Sequence, residues 1–522
     1  MRTFIAVTAA LAFCLAAGAF AQTYTVLHDF AGVPTDGAIP QGGMVTDGSR
    51  IYGVAAEGGQ FISGILYSMN TDGSSYTVLH EFGNAADGDS PVGGLALDGG
   101  TLYGVTRGGG AAGNGTVFSI KTNGTGYAVL YPFLGAPDGS VPQGPPVVAG
   151  GVIYGLTDEG GTTDDGTAFS IRTDGTGYAI VHNFADQPSD GAEPAGGLFL
   201  DNGTLYGTTA AGGKYIMDAG TVFSMAPDGS GQKLLYSFSN ADGADPLGGL
   251  ISDGSRLYGL TLMGGQGGSV LYYGYGGGTI FALDRDGSNF QTLHEFSGTD
   301  GYLPLSGLVG DGDRLYGTTV TGGTTRSTRG PMPFPGGGTI FTLNTDGTGY
   351  NTLYSFDGLI LGTGSNPEGV PLLVNGSFYG VAQTGGTQGV GVVFSYVVPT
   401  PPLQVTLNTI FPAAGQTWTV DAAVQPLAQA FDAWAVIRGP DGTYHSMVLG
   451  QPGRLIPGAA PLVRNVPGLP SAFTAQLLSM TLPPGLAAGA YTVTVALLPA
   501  GSPPILEAAI AGYGVQRIAT IR

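Results

Sequence analysis

Cysteine and basic residues are scarce in this sequence. Cys14 is the only cysteine, and 17 Lys and Arg residues face 37 Asp and Glu residues, so the formal net charge is −20. Without further cysteines the chain beyond residue 21 has no disulfide, thiol nucleophile or thiolate metal ligand. The negative charge excludes nucleic acid as a partner, since phosphate backbones are bound by clustered Lys and Arg.

Long apolar runs are also rare. Phe4 to Leu15 is one, and it follows Met1-Arg2 and precedes Ala19-Phe20-Ala21. A positive start, an apolar core and small residues at a cleavage position predict a signal peptide over residues 1–21. A lipoprotein anchor at Cys14 is the alternative, disfavoured by the bulky Phe13 just before it. Because no later run reaches about 18 apolar residues, we predict no membrane span and a secreted or cell-surface protein.

Glycine and proline, in contrast, are abundant, with 96 and 34 copies. Glycine in such excess without a Gly-X-Y period indicates many tight turns between short strands. A sequence repeat explains the abundance of glycine. An apolar-Tyr-Gly motif recurs seven times, and a Gly-Gly pair begins six residues after each tyrosine; the tyrosines, which number the repeats 1 to 7, are Tyr52, Tyr103, Tyr154, Tyr206, Tyr258, Tyr316 and Tyr379.

Each repeat continues with a Gly-x-apolar-aromatic strand, an Asp-Gly or Asn-Gly turn and a strand ending in His or Tyr, one variable residue and Phe, such as His80-Glu81-Phe82. A connection containing proline then leads to a glycine-rich strand, such as Gly93-Gly94-Leu95. Four short strands in about 51 residues are typical of a propeller blade. The opening strand Thr23–Phe30 has no repeat of its own, and the last repeat, ending at Val398, lacks its outer strand. We therefore predict that the two ends pair.

These residues resemble the bacterial GloVer tandem-repeat family, which has glycine-rich Leu-Tyr-Gly-x-Thr…Gly-Gly…Gly-Thr-Val-Phe-Ser units. The resemblance covers residues 23–398 and implies no particular activity. Kelch blades are more distantly similar, because they too place a Gly-Gly pair after a strand with tyrosine, but their usual tryptophan is missing here. The predicted fold is an all-β, seven-bladed β-propeller of four-stranded blades over residues 22–398, closed by the N-terminal strand.

A second domain follows the repeats. Residues 399–403 are predicted to be a proline-rich linker, and residues 404–522 alternate apolar and polar residues between Pro/Gly turns, as in Thr417–Val420. About seven strands in this segment predict a small immunoglobulin-like β-sandwich. Both tryptophans, Trp418 and Trp434, lie in these strands. We expect them to fill the sandwich core, with ligand stacking as the alternative.

The polar residues give little sign of a reactive centre. Four of the five histidines occupy one repeat slot, where tyrosine stands in the other repeats, so blade symmetry keeps them apart; they are His28, His80, His182 and His294. Most aspartates precede glycine and are expected to form turns. The repeated Asp-Gly-x-x-Pro element could instead bind calcium, although it lacks the spacing of a dedicated loop. No other cofactor or metal site is predicted.

Paired acids occur in repeat 3, as Asp158-Glu159 and Asp164-Asp165. A general acid and base of a propeller glycosidase or lyase could lie there, but solvated loops are the simpler interpretation. The sequence has no Gly-x-Ser-x-Gly, His-Glu-x-x-His or phosphate-loop motif. We therefore predict no catalytic residues.

Repeats 4, 5 and 6 depart most from the pattern. Between the Gly-Gly pair and the next strand they have six, twelve and fourteen residues, where the other repeats have four. Aromatic and Arg side chains are typical of binding surfaces, so we predict a ligand-binding ridge on these inserts. Its candidate residues are Tyr215, Tyr272, Tyr273, Tyr275, Arg326, Arg329 and Phe334. Tolerated length variation is the alternative.

The predicted function is that of an exported, non-catalytic binding protein, monomeric, with an extracellular polysaccharide or protein as its partner. The alternative is a propeller-type polysaccharide lyase or glycoside hydrolase.

Overall fold

The computed structural model describes residues 24–398 except 84–85, 216–218, 266–275, 325–335 and 358–361, and elsewhere only the backbone of the strands. Two compact bodies result: the repeat body, residues 23–397, and the terminal body, residues 1–22 with 398–522. The described residues form strands and no helix, so none of them contributes a helical membrane span. The predicted all-β class is confirmed.

The strands, in chain order, are β1 (Ala6–Ala12), β2 (Tyr24–Asp29), β3 (Gly37–Thr46), β4 (Arg50–Gly58), β5 (Ile65–Asn70), β6 (Thr77–Glu81), β7 (Asp89–Asp98), β8 (Thr101–Gly108), β9 (Thr116–Lys121), β10 (Ala128–Pro132), β11 (Gly139–Ala149), β12 (Val152–Gly160), β13 (Thr167–Arg172), β14 (Ala179–Asn183), β15 (Gly191–Ala192), β16 (Phe199–Asp201), β17 (Thr204–Thr209), β18 (Ala211–Gly212), β19 (Thr221–Met225), β20 (Lys233–Ser237), β21 (Ile251–Ser252), β22 (Arg256–Thr261), β23 (Thr279–Asp284), β24 (Gln291–Glu295), β25 (Val309–Asp311), β26 (Arg314–Thr319), β27 (Thr339–Asn344), β28 (Asn351–Ser355), β29 (Gly364–Val374), β30 (Ser377–Gly385), β31 (Val392–Val397), β32 (Leu403–Leu407), β33 (Thr417–Val424), β34 (Phe431–Arg438), β35 (Tyr444–Met447), β36 (Leu455–Pro457), β37 (Pro461–Val466), β38 (Phe473–Thr481), β39 (Ala490–Pro499) and β40 (Val515–Ala519).

The repeat body is a propeller-like arrangement of small antiparallel sheets. Repeats 3, 5 and 6 each form a four-stranded sheet, β11–β14, β21–β24 and β25–β28. Repeat 4 forms the sheet β16-β17-β19-β20 and a short pair, β15 with β18. The sheets of repeats 1 and 2 join into eight strands through one parallel pair, Gly43 with Gly94.

The N-terminal strand completes the last sheet. β2 pairs antiparallel with β31, so the sheet order is β2-β31-β30-β29. Tyr24 lies opposite Tyr396 and Asp29 opposite Val392. The predicted pairing of the two ends is confirmed. It leaves β31 with a neighbour on both sides, which removes an exposed sheet edge.

The Tyr-Gly motif is explained by cross-strand packing. The glycine on the second strand of each repeat lies opposite the aromatic residue of the third strand, and a Cβ there would overlap the ring. The pairs are Gly53 with Tyr67, Gly104 with Phe118, Gly155 with Phe169, Gly207 with Phe223, Gly259 with Phe281, Gly317 with Phe341 and Gly380 with Phe394. These rings are at most 1% exposed and form the core between sheets.

Glycines on the innermost strands allow adjacent repeats to approach backbone to backbone. Gly42, at φ +74°, leaves no room for a Cβ beside the backbone of Gly94. Equivalent approaches join most repeats to the next and return from repeat 7 to Gly42; they involve Gly42 with Gly94, Gly93 with Gly144, Gly144 with Gly197, Gly196 with Gly248, Gly248 with Ser306 and Gly369 with Gly42. Between repeats 6 and 7, Gly307 instead lies against the side chain of Val370.

A strained residue precedes each repeated proline. Seven non-glycine residues have φ between 52° and 57° at this position, including the β-branched Ile39 and Val141. Each donates its backbone N–H to a carbonyl of the preceding repeat, as Val141 does to Asn114 at 3.0 Å. The full set of donors is Ile39, Ser90, Val141, Glu193, Asp245, Leu303 and Asn366. These inter-repeat bonds help to hold an otherwise costly conformation.

The terminal body contains two sheets. One has the order β36-β35-β34-β39-β1-β40, with β37 also paired to β34, and the other is β32-β33-β38. β1 runs parallel to β39, with Ala6 opposite Ala490. This strand lies inside the segment predicted to be a signal peptide, which stays a prediction.

Candidate functional site

The repeated His or Tyr slot forms a bridge between neighbouring repeats. In repeat 1, His80 Nε2 lies 3.1 Å from Asp87 Oδ2, and its ring stacks on Tyr127 of repeat 2 at a centroid distance of 3.7 Å. The Tyr127 hydroxyl donates to the Asp87 carbonyl at 2.5 Å. Burial lowers the pKa of His80, and Asp87 only partly opposes this. One imidazole, one phenol and one aspartate therefore hold two sheets together.

The same arrangement recurs with chemically related residues. The slot residue and its aspartate are His28 with Asp36, His80 with Asp87, Tyr131 with Asp138, His182 with Asp190, Tyr236 with Asp242 and His294 with Asp300. The stacked partners from the next repeat are Tyr76, Tyr127, Tyr178, Phe290 and Tyr350, and in the last interface Tyr354 stacks on Tyr24. For His182 of repeat 3, the equivalent residue of repeat 4 is Gln232, whose side-chain amide donates a hydrogen bond to Asp190.

The aspartate of the Asp-Gly-x-x-Pro element thus does more than form a turn. Asp36 accepts hydrogen bonds from His28, Tyr76 and the amides of Ala31 and Gly37. Burial alone would raise the pKa of Asp36, but these bonds outweigh it and lower the pKa. The four histidines lie in four different interfaces, and the described part of the chain contains no group of three His, Cys, Asp or Glu residues suited to a metal ion.

The acids of the loop in repeat 3 also have structural roles. Asp164 Oδ1 accepts from the Gly160 amide at 2.9 Å, and Asp165 Oδ2 accepts from the Asp186 amide at 3.2 Å. Asp158 differs, because it is half-buried and its side chain meets Gln143 at 3.4 Å. Burial raises the pKa of Asp158, and the amide of Gln143 and the charge of Arg107 only partly offset that rise.

Asp158 belongs to a level of the repeat body where the repeats differ. Two positions vary between repeats: the residue just before each inner-strand contact glycine, or before Ser306 in repeat 6, and the residue on the second strand three positions after the Tyr-Gly pair. In repeats 1, 2, 3 and 7 six of these eight positions have polar side chains, here named the inner-ring residues: Gln41, Arg107, Gln143, Asp158, Glu368 and Gln383; the other two are Ala56 and Val92. In repeats 4, 5 and 6 they are apolar: Ala195, Ala210, Leu247, Leu262, Leu305 and Val320.

Repeat 7 holds a second acid and amide pair at this level. Gln383 Nε2 donates to Glu368 Oε2, in the position equivalent to Gln143 and Asp158 with the two residue types exchanged. Burial raises the pKa of Glu368 to about 7, against the opposing effect of the Gln383 bond. Arg107 is exposed, and its charge acts on Asp158.

The sequence interpretation missed five of these six residues and read Asp158 as part of a solvated loop. The signal was available, since each lies directly after a repeated proline or three residues after a Tyr-Gly pair. Comparing the repeats at those positions would have shown amides, acids and one arginine in place of apolar side chains.

The predicted ridge lies mainly outside the described residues. Tyr272, Tyr273, Tyr275, Arg326, Arg329 and Phe334 all fall there. Tyr215 is described and is 46% exposed. The inserts of repeats 5 and 6 are bracketed by backbone pairs, Gly264 with Gly277 and Gly322 with Gly337. Both inserts therefore begin and end where the other repeats have their shorter loops between the second and third strands.

Exposed apolar side chains occupy that same side. We define the loop face as the side with the connections between repeats and the loops from second to third strands. Of the six exposed large apolar residues found in the described chain, all but Val397 lie on the loop face: Val33, Phe61, Ile62, Leu134 and Tyr215. Ile62 is 62% exposed and Leu134 61%. The inner-ring residues lie near this face, at the start of inner strands and the end of second strands.

Comparisons with solved structures give distant likenesses. An oligogalacturonate lyase from Vibrio parahaemolyticus is 13% identical, with TM-score 0.46 over 76% of this chain and 99% of that one. A putative 6-phosphogluconolactonase from Bacteroides uniformis is 14% identical, with TM-score 0.41 over 68% of this chain and 98% of that one. TolB from Acinetobacter baumannii is 13% identical, with TM-score 0.35 over 58% and 63%.

No curated protein matches the sequence. A family profile does, and its three matches cover residues 15–164, 124–330 and 275–417, which together span the repeats. The resemblance noted from the Tyr-Gly and Gly-Gly motifs is thereby confirmed. The chain belongs to the Gloeobacter/Verrucomicrobia repeat family.

Proposed function

We propose that the repeat body is a closed seven-bladed propeller and that the terminal body contains an immunoglobulin-like sandwich. Three inter-repeat series support the ring: the glycine approaches, the bonds from the positive-φ residues and the stacked aromatic bridges. Each series returns to repeat 1 or to the N-terminal strand. Two separate sheets in the terminal body support the sandwich.

We further propose that this is an exported binding protein that uses its loop face to hold a polysaccharide or protein outside the cell. The observation that carries the proposal is the position of the exposed apolar side chains. Five of them share the loop face, and the inserts with tyrosine, arginine and phenylalanine begin there too. Exposed apolar and aromatic groups on one side of an acidic surface are typical of interaction sites.

The repeated polar residues support binding over catalysis. The His and Tyr slot residues and their aspartates are used in bridges between sheets, and the loop acids Asp164 and Asp165 accept backbone hydrogen bonds. A general acid and base would need to converge, whereas the slot residues lie in separate interfaces between repeats.

The test is a binding assay on the full chain. Sedimentation with insoluble polysaccharides and adsorption to intact bacterial cells give the affinity of the wild type. The combined changes Phe61→Ser, Ile62→Ser and Leu134→Ser, and separately Tyr272→Ala, Tyr273→Ala, Tyr275→Ala and Phe334→Ala, should reduce retention at least about tenfold. Thr77→Ala, an exposed change near the opposite side, should leave it unchanged. Full retention by both loop variants would contradict the proposal.

A polysaccharide lyase or glycoside hydrolase is the second candidate. The observation in its favour is that Asp158 and Glu368 both have raised pKa values at positions where the repeats diverge. Incubation with pectins, glucans, mannans and xylans would reveal it through new reducing ends or unsaturated products. Loss of such products in Asp158→Asn and Glu368→Gln, with unchanged thermal unfolding, would establish an enzyme.

A further inference from the structure

The two positions that supply the inner-ring residues have different side-chain types in different repeats. Six of the eight residues from repeats 7, 1, 2 and 3 are amides, acids or a guanidinium, the exceptions being Ala56 and Val92, whereas all six from repeats 4, 5 and 6 are apolar. The packing of the fold does not require this, since either type of residue is accommodated at the same backbone positions. If the repeats were equivalent, these two positions would have the same type of side chain in all seven. The difference between polar and apolar repeats therefore needs its own explanation.

The polar half has the groups that recognise hydroxyls. A carboxamide both donates and accepts, and a carboxylate accepts from hydroxyls. Gln143 beside Asp158 and Gln383 beside Glu368 are amide and carboxyl pairs, and each leaves further donor and acceptor positions free after the single bond within the pair. The Gln41 amide and the Arg107 guanidinium add further donors at this level.

The apolar side chains of repeats 4, 5 and 6 suit the C–H faces of a sugar. Pyranose rings present C–H groups on their faces and hydroxyls at their edges, so a bound sugar needs both an apolar and a polar wall. Leu247, Leu262, Leu305 and Val320 are half-buried, which leaves part of each side chain open to a ligand. The net charge of −20 opposes the approach of a polyanion and leaves uncharged chains unaffected.

We propose that the inner-ring residues form a binding site for the end of a neutral oligosaccharide, in which Gln143, Asp158, Glu368 and Gln383 bind ring hydroxyls and the apolar side chains of repeats 4–6 contact a sugar face. The site is separate from the exposed apolar groups of the loop face. The inference rests on the proposed function only for its class of ligand, because a polysaccharide held at the loop face would present a chain end here.

The test is isothermal titration of the full chain with soluble hexaoses of β-1,3-glucan, β-1,4-glucan, mannan and xylan. The wild type should bind at least one of them. Gln143→Ala and Gln383→Ala should each weaken that hexaose about five- to tenfold, since each removes hydrogen bonds to the ligand. Gln291→Ala, an exposed glutamine on the outer strand of repeat 5, should have no effect. Thermal unfolding of each variant shows whether the fold is retained.

The two proposals fail in different ways. If the wild type retains insoluble polysaccharide and binds none of the hexaoses, the inner-ring site is wrong and the loop-face proposal stands. If hexaoses bind but Gln143→Ala and Gln383→Ala bind as tightly as Gln291→Ala, the site is again wrong. A galacturonan hexaose bound more tightly than every neutral one, with that affinity lost in Arg107→Gln, would overturn the neutral class of ligand.

Discussion

The imidazole of His80 stacks on the phenol ring of Tyr127, with centroids 3.7 Å apart and planes 7° from parallel, although the two residues belong to adjacent repeats. Phe82 packs edge-on against the same imidazole at 4.9 Å. The aspartate that accepts from the imidazole also provides the carbonyl for the Tyr127 hydroxyl. Burial of aromatic area and satisfied polar tips act together at this interface. The bridge therefore explains why His and Tyr, both flat rings with a polar tip, can replace one another.

We predict that Asp36→Ala destabilises the repeat body by about 2–4 kcal/mol. Asp36 is 8% exposed and accepts four hydrogen bonds between β2 and repeat 1, so its removal leaves buried donors unsatisfied. Urea unfolding followed by tyrosine fluorescence measures the change. Asp72→Ala is the matched control, because Asp72 is exposed and its carboxylate accepts from Ser74, and it should change stability far less than Asp36→Ala. Equal losses in the two variants would contradict the bridging role.

The glycine beneath each aromatic ring allows a steric test. Gly155→Ala would place a methyl group against the ring of Phe169, which is fully buried, and should cost about 1–3 kcal/mol by overpacking. Phe169→Leu alone should also destabilise, by loss of packed volume. The double variant should be more stable than the sum of the two losses predicts, because the smaller side chain makes room for the methyl group. Strict additivity in thermal unfolding would show that the contact is not the cause.

The period of the sequence was enough to predict the strands and the pairing of the two ends of the repeat body. Tyr-Gly, Gly-Gly and Asp-Gly recur at fixed spacing, so turns, strand order and the pairing of β2 with β31 followed from the motifs alone. What the period could not show was contact between repeats. The partner of His80 is Tyr127, 47 positions later, and nothing local to either residue links them.

The candidate site was harder to predict for a related reason. Inner-ring residues such as Gln143 and Glu368 look like ordinary polar residues in glycine-rich strands. Their significance appears only when inner strands are placed side by side, which brings one residue from every repeat to the same level. The inserts of repeats 4–6 were visible as length differences, but the residues within them predicted for the ridge, apart from Tyr215, lie where the structure gives no description.

Glu368 should make stability depend on pH in a defined direction. Burial raises the pKa of Glu368 to about 7 in the folded state, against 4.5 for an unperturbed glutamate. Between these values the folded state binds more protons than the unfolded state, so stability falls as pH rises from about 4.5 to 7 and stays low above it. The loss is at most about 3 kcal/mol, from 1.36 kcal/mol for each unit of pKa.

Glu368→Gln tests this directly. Its amide oxygen can still accept from Gln383, and it has no charge to bury. The variant should match the wild type at pH 4.5 and be more stable at pH 8, in melting curves recorded across that range. Glu57→Gln, an exposed glutamate on the second strand of repeat 1, serves as the control and should leave the pH profile unchanged. Parallel profiles for wild type and Glu368→Gln would show that Glu368 is ionised in the folded protein at pH values well below 7.

Deleting residues 22–30 should open the repeat body and produce a less stable, aggregating chain. The deletion removes β2, which uncovers the edge of β31, and also Phe30, which is 0% exposed. Phe30→Ala alone should cost about 3–5 kcal/mol, and the deletion more, because backbone pairing is lost as well. Adding a synthetic peptide of residues 22–32 should restore the melting temperature, since it can occupy the vacant position beside β31, whereas a scrambled peptide should not. A deletion variant that stays monomeric and melts with the wild type would mean that β2 contributes nothing to closure.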